Sequence, residues 1–176
     1  MFHIESHTIS YLRDPGMTGE SRQGTDTPGV VMRPPRLYLA ALAIGIAADA
    51  MMPGGSAFPA WLSFFVGALL MVGGVAIMAL SMRGFSRAGT NVPTNRPATA
   101  LVTTGLHRHS RNPIYVALTM IYAGIALAAS SPTALVLLLP VLLIMRYGVI
   151  AREERYLAAK FGGDYRAYCA CTRRWL

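Results

Sequence analysis

Residues 58–82 read Phe58-Pro-Ala-Trp-Leu-Ser-Phe-Phe-Val-Gly-Ala-Leu-Leu-Met-Val-Gly-Gly-Val-Ala-Ile-Met-Ala-Leu-Ser-Met82, an apolar run without one charged side chain. At about 1.5 Å per helical residue, the run exceeds the ~30 Å needed to cross the hydrocarbon core of a bilayer. A helix suits that setting because its backbone polar groups bond one another and leave only side chains facing lipid. Working outward, the pattern repeats. A shorter run covers Leu37–Met52 and ends at Pro53-Gly54-Gly55. A third begins at Pro113 and stops before Ser130-Ser131-Pro132, and a fourth runs from Pro132 to Ile150 and passes into Arg152-Glu153-Glu154-Arg155. Pro113 suits a first helical position, where its missing N–H is not needed. Pro140, inside the fourth run, predicts a kink. The expected fold class is therefore all-α: a polytopic membrane protein with about four transmembrane helices, at 37–52, 58–82, 113–129 and 132–150, and a C-terminal helix over 151–176.

Composition and charge agree. Hydrophobic residues make up 53% of the chain and charged ones 14%, where soluble domains carry about 25% charge. The net charge of +8 would suit nucleic acid, but the basic residues flank the apolar runs instead of forming one basic face. All 16 Lys and Arg lie before Leu37, between Arg83 and Arg111, or from Arg146 onward. With four spans those regions fall on one side, which the positive-inside bias assigns to the cytosol, with both termini in. Residues 1–32 read as a disordered tail of low hydrophobicity without a signal peptide, and Met32, just ahead of the first span, makes a natural alternative start. Residues 33–176 form the single expected domain. Small residues at four-residue spacing (Ala41 and Gly45, Ser63 and Gly67, Gly124 and Ala128) favour close helix packing in lipid.

Polar chemistry collects in two places. The first is Gly105-Leu-His-Arg-His-Ser-Arg-Asn-Pro-Ile-Tyr115, a loop running into a helix start that could hold an anionic group. The second follows the fourth run: Glu153, Glu154, then Phe161-Gly162, Tyr165 and Tyr168. Phe161-Gly162 reads as a helix stop. Regular helical spacing puts Arg146, Ile150, Glu153 and Leu157 on one face, so that an arginine and a glutamate could share a cavity; equally, Arg146 could snorkel to the cytosolic interface. Glu153 and Glu154 could act as a base, as acceptors for hydroxyls, or as solvated partners of neighbouring arginines. His107, His109, Cys169 and Cys171 lack the spacing of a structural zinc site, so no metal is expected and the cysteines read as free thiols. No Walker-type or dinucleotide-binding glycine motif is present.

The segment Gly105–Tyr115, followed by Glu153-Glu154-Arg155-Tyr156-Leu157, Phe161-Gly162, Tyr165, Tyr168 and Arg174-Trp175, resembles the isoprenylcysteine carboxyl methyltransferases and phospholipid methyltransferases, a family of integral membrane enzymes. The resemblance spans roughly residues 33–176. It implies an S-adenosylmethionine-dependent methyltransferase whose cofactor pocket faces the cytosol and whose lipid or lipophilic acceptor enters from the bilayer. It further implies that Arg111, Asn112, Pro113, Tyr115, Glu153, Tyr165 and Tyr168 border the cofactor. Glu153, Glu154 and Arg146 would then serve catalysis, and Arg146 and Arg174 would meet the acceptor, which carries a carboxylate, amine or thiol. Where the family often has Arg-His-Pro this chain has Arg111-Asn112-Pro113, so any task needing an imidazole falls to another group. The Gly/Ala/Arg-rich composition points to a bacterial inner membrane. A non-enzymatic membrane subunit binding anionic lipid or a partner, and an NADPH-dependent membrane reductase, stand as the alternatives.

Overall fold

The computed structural model describes residues 28–30, 32–51, 59–92 and 97–175. The expected tail over 1–32 therefore lies almost wholly outside the described residues. Every apolar run forms a helix: α1 spans Pro34–Met51, α2 Ala60–Arg87, α3 Pro113–Ala128 and α4 Pro132–Ile144. A π-helical turn, Met145–Ile150, joins α4 to α5, Ala151–Cys171, and a short 3-10 turn at Gly105–Arg108 precedes α3. Two of these helical stretches are long and apolar enough to cross a membrane: the 28 residues of α2 and the stretch Pro132–Cys171, which turns at a non-helical Gly162. α3 is a shorter apolar helix.

The distribution of side-chain size along α2 runs opposite to that of a soluble core. Its buried positions are Ser63, Gly67, Gly74 and Ser81, all small, while Trp61, Phe64, Phe65, Leu69 and Val72 are exposed. Lipid supplies no hydrophobic force between helices, so packing favours small residues that let backbones touch and leaves large ones to the acyl chains. The touching is literal. A Cβ at Gly67 would lie 2.5 Å from the Gly124 carbonyl oxygen of α3, and one at Gly124 would lie 2.6 Å from the Gly67 oxygen. The Ser63/Gly67 and Gly124/Ala128 pairs thus form the α2–α3 seam, and Gly45 of α1 meets Ala134 of α4 at similar range.

Polar side chains fasten the other contacts. Tyr38 of α1 hydrogen-bonds Thr119 of α3 (2.8 Å), and the Tyr122 hydroxyl donates to the Ala134 carbonyl (2.8 Å). At the opposite end, Asp49 accepts from both the Ser131 and Thr133 hydroxyls and from the Thr133 backbone N–H. Ser131 also caps α4 by accepting from the Ala134 N–H. One carboxylate of α1 therefore meets the start of α4, where helix polarity favours negative charge.

Two local expectations are modified. The α-helix runs through Pro140 to Ile144, and the irregular turn comes later, at Met145–Ile150. That π turn accommodates one extra residue, which rotates the helix face by about 100°. Met145, Val149, Ile150 and Glu153 consequently point inward, and Arg146 is exposed with its guanidinium over the Tyr147 ring. The inference that Arg146 shares a cavity with Glu153 is corrected for this reason.

Gly67→Ala is expected to destabilise the protein by roughly 1–3 kcal/mol, because the seam has no room for a methyl group. Gly73→Ala meets only the flexible end of Met120 and is expected to be neutral or slightly stabilising. Thermal unfolding of both variants in detergent distinguishes a tight seam from a helix that tolerates no glycine replacement.

Candidate functional site: a cavity closed by the C-terminal segment

At the end of the bundle where α2 finishes and α3 begins, the chain forms a pocket that is partly open to its surroundings. Its walls bring together residues far apart in sequence. Arg111, Asn112, Pro113 and Tyr115 come from the entry into α3, and Glu153, Glu154, Tyr165 and Tyr168 from α5. Every residue expected to border a cofactor lines this one space. The 98–102 segment covers it, with Ala98 and Val102 buried and the Ala98 N–H donating to the Tyr156 hydroxyl.

The cavity depends on how the C-terminus returns. Ser110 and Arg173 form a parallel bridge, and the Arg111 N–H donates to the Arg173 carbonyl (2.9 Å). The Asn112 side-chain amide donates to the Arg174 carbonyl (2.9 Å), and the Tyr168 hydroxyl donates to the His107 carbonyl (2.6 Å). Asn112 thus has a definite task for which a carboxamide suffices. The return itself requires Gly162, whose φ of +52° and ψ of −115° interrupt α5. Residues with a Cβ pay a steric penalty in that conformation. The glycine break expected after Phe161 is present, and the chain resumes a helix beyond it that carries Tyr165 and Tyr168 back to the cavity.

Charge is arranged around two carboxylates. Glu153 is buried, and its Oε1 accepts from the Tyr115 hydroxyl at 2.6 Å. Glu154 is gripped by Arg174, with Nε to Oε1 at 2.9 Å and Nη2 to Oε2 at 2.6 Å, and Arg111 Nη1 lies 3.4 Å from Oε1. Arg174, expected to meet the acceptor, holds Glu154 in this bidentate pair and does not line the cavity. Arg111 also donates from Nη1 to the Cys169 sulfur, while its Nε is buried without a hydrogen-bond partner. Burial works against the Arg111 charge, but Glu154 and Cys169 outweigh it and hold its pKa above the ordinary value. Burial pushes the Tyr165 and Tyr168 phenols up, so both stay neutral.

Several wall residues lie outside the expected site set, and His107 is the one among them with a titratable side chain. His107 is buried, packs edge-on against Phe85 with ring centroids 5.0 Å apart, and lines the cavity. Burial lowers its pKa to about 4, so the imidazole is neutral at physiological pH. An imidazole is therefore present at the pocket despite Asn112 standing where the resembled family often has histidine. Phe85 is likewise a lining residue outside the expected set, whereas Leu157 lines the cavity beside Glu153, on the face that helical spacing assigns to both. Among the described residues no group of three or more His, Cys, Asp and Glu is placed to hold a metal ion, and Cys169 and Cys171 are free thiols.

Apolar helices with small-residue seams, closing a cavity lined by arginine, carboxylates and tyrosines at one end, define a membrane-type helical protein with a polar binding site. Residues 62–164, more than half of the chain, match the phospholipid methyltransferase family, and the chain belongs to that family. Membership in that family implies an S-adenosylmethionine-dependent methyltransferase with a phospholipid-type acceptor. The chain is also 36% identical over 63 residues to an uncharacterised protein of Haemophilus influenzae, covering 36% of this chain and 100% of that protein. No solved structure matches. The family match takes in Arg111, Tyr115, Glu153 and Glu154 but ends before Tyr165, Tyr168 and Arg174.

Two outcomes test this geometry. Gly162→Ala should cost roughly 1–3 kcal/mol of backbone strain, and it should loosen the Tyr168–His107 contact, readable as faster amide exchange over residues 163–175. For His107, the folded-state pKa of about 4 lies below the ordinary 6.5, so unfolding takes up a proton as pH falls. Its stabilising contribution is complete above pH 6.5 and is lost on descending to about 4, a fall of roughly 3 kcal/mol. Melting temperatures of wild type and His107→Phe across that window should diverge, with the variant showing the shallower slope.

Proposed function

We propose that the cavity binds S-adenosylmethionine and that the chain transfers its methyl group to a lipid or small lipophilic acceptor bearing an amine, carboxylate or thiol. The observation that supports this most is the convergence of Arg111, Asn112, Pro113, Tyr115, Glu153, Tyr165 and Tyr168 around one space. The residues present fit the cofactor's chemistry. The charged Arg111 offers an unpartnered buried Nε to an amino-acid carboxylate. Glu153 suits an ammonium or ribose hydroxyls, and the neutral rings of Tyr165 and Tyr168 suit an adenine.

S-adenosylmethionine, when bound, supplies a methyl group already activated as a sulfonium. The protein's tasks are then to position the partners and to exclude water. For an amine acceptor, Glu153 takes up the proton at its carboxylate, with Tyr115 fixing that group's orientation. Glu154, held by Arg174 and Arg111, is a positioning residue that keeps the C-terminal segment against α3. The exposed Arg146 has no part in this reading.

The acceptor reaches the site through a groove beside the cavity. Arg33 and Arg36 stand at one end of that groove, and Met78, Met82 and Leu118 supply apolar lining. Phe85, Val92, Ile114 and Tyr115 line both groove and cavity, so the two spaces meet. An amphiphile could keep its chain among the methionines while its reactive end approaches Tyr115. In a bilayer we place all four apolar helices across the membrane, with both termini and the cavity on the cytosolic side of a bacterial inner membrane. This follows the clustering of Arg83, Arg87, Arg108 and Arg111 at the cavity's end. The 18 residues of α1 and 16 of α3 are short for this, which local thinning of the bilayer accommodates.

Calorimetric titration of the detergent-purified protein with S-adenosylmethionine and S-adenosylhomocysteine tests the reading, with NADPH as control. Saturable binding of the methyl-donor pair is expected, weakened about ten- to a hundredfold in Arg111→Ala and Glu153→Gln. No binding by folded protein, or preference for NADPH, would overturn it.

A further inference from the structure

A second cavity lies on the far side of His107 from the cofactor pocket. It is lined by Arg83, Arg87, Thr104, His107, His109 and Leu80. Arg83 and Arg87 are one helical turn apart at the end of α2, so their guanidinium groups project from the same face. No acidic residue lines the cavity, and among the described residues neither arginine has a carboxylate partner. Of the described carboxylates, Asp49, Glu153 and Glu154 are engaged elsewhere, and Asp164, on α5, does not line the cavity. No described residue therefore neutralises this cationic concavity.

The rim indicates what kind of anion fits. Leu80 borders the cavity and is exposed, continuing the lipid-facing side of α2 that includes Leu69, Val72 and Val75. An occupant with an anionic head and an apolar chain satisfies both parts, the head between the arginines and His109, the chain along α2. A free anion would leave the apolar rim unused. Basic pockets at the membrane–water boundary recognise anionic lipid heads in this way.

We propose that the Arg83–Arg87–His109 cavity is a binding site for the phosphate head of an anionic phospholipid, separate from the acceptor groove at Arg33 and Arg36. The two spaces share no arginine. The occupant rests against His107, whose ring also walls the cofactor pocket. Nothing in this proposal requires methyl transfer, so its failure leaves the cofactor reading untouched.

The test places the full chain in phosphatidylcholine nanodiscs and measures the association of spin-labelled phosphatidylglycerol relative to spin-labelled phosphatidylcholine. Wild type should select phosphatidylglycerol, and the double variant Arg83→Gln/Arg87→Gln should lose that selectivity about ten- to thirtyfold. Arg33→Gln/Arg36→Gln should retain most of it. Equal selectivity in wild type and the Arg83/Arg87 variant would overturn the proposal, as would loss only in the Arg33/Arg36 variant. A parallel titration with inorganic phosphate separates the two sources of phosphate. Displacement of the labelled lipid at low millimolar phosphate would assign the site to a free anion and refute the lipid. Unchanged helical content by circular dichroism shows that the variants fold.

Discussion

The cavity depends on one carboxylate held by two arginines from distant parts of the chain. Glu154 sits on α5, Arg111 ahead of α3 and Arg174 near the C-terminus. Charge-assisted pairs of this geometry are directional, and they are stronger where water is partly excluded. Here the side chains of Arg111 and Glu154 are 16% and 15% exposed, so the pair is neither a surface ornament nor a fully desolvated ion pair. Around it, backbone pairing at Ser110 and Arg173, the Asn112 amide and the Tyr168 hydroxyl all draw the terminal segment to the start of α3. Loosening the carboxylate would open the cavity wall without touching the helices that hold it.

Those helices are built for a different solvent. Small residues make the α2–α3 seam, and large apolar ones face outward. Because hydrocarbon cannot satisfy polar groups, polar side chains inside such a bundle pair with one another, as Tyr38 with Thr119 and Asp49 with Ser131 and Thr133. Reactive polar groups are confined to the end where the helices emerge into the basic segments. The position of the pocket thus follows from the same constraint that selects the fold. The π turn belongs to this arrangement as well, since it turns Glu153 inward and leaves Arg146 outside.

Much of this was legible from the chain alone. Apolar runs and their Pro and Gly ends marked the helices, because helix length against bilayer thickness leaves few alternatives. The family-like motif at Gly105–Tyr115 and Glu153–Tyr168 marked residues that the fold brings together. Three features escaped. Periodicity assumes a regular helix, so it placed Arg146 beside Glu153, and no residue pattern announced the π turn. The Arg174–Glu154 pair has no sequence signal, because the two lie 20 positions apart and only the folded-back terminus unites them. His107 enters the sequence reading only within the Gly105–Tyr115 segment and in the zinc test, since its burial against Phe85 depends on where α2 ends. In each case the missing information was tertiary.

The most direct measurement is the affinity for S-adenosylhomocysteine of a chain lacking residues 172–176, set beside the full chain in the same detergent. If the returning segment organises the cofactor pocket, the shortened protein should keep its helical content and lose at least tenfold in affinity, because Arg111, Asn112 and Glu154 lose their partners. Undiminished affinity with intact helices would contradict a pocket built on the Glu154 tie.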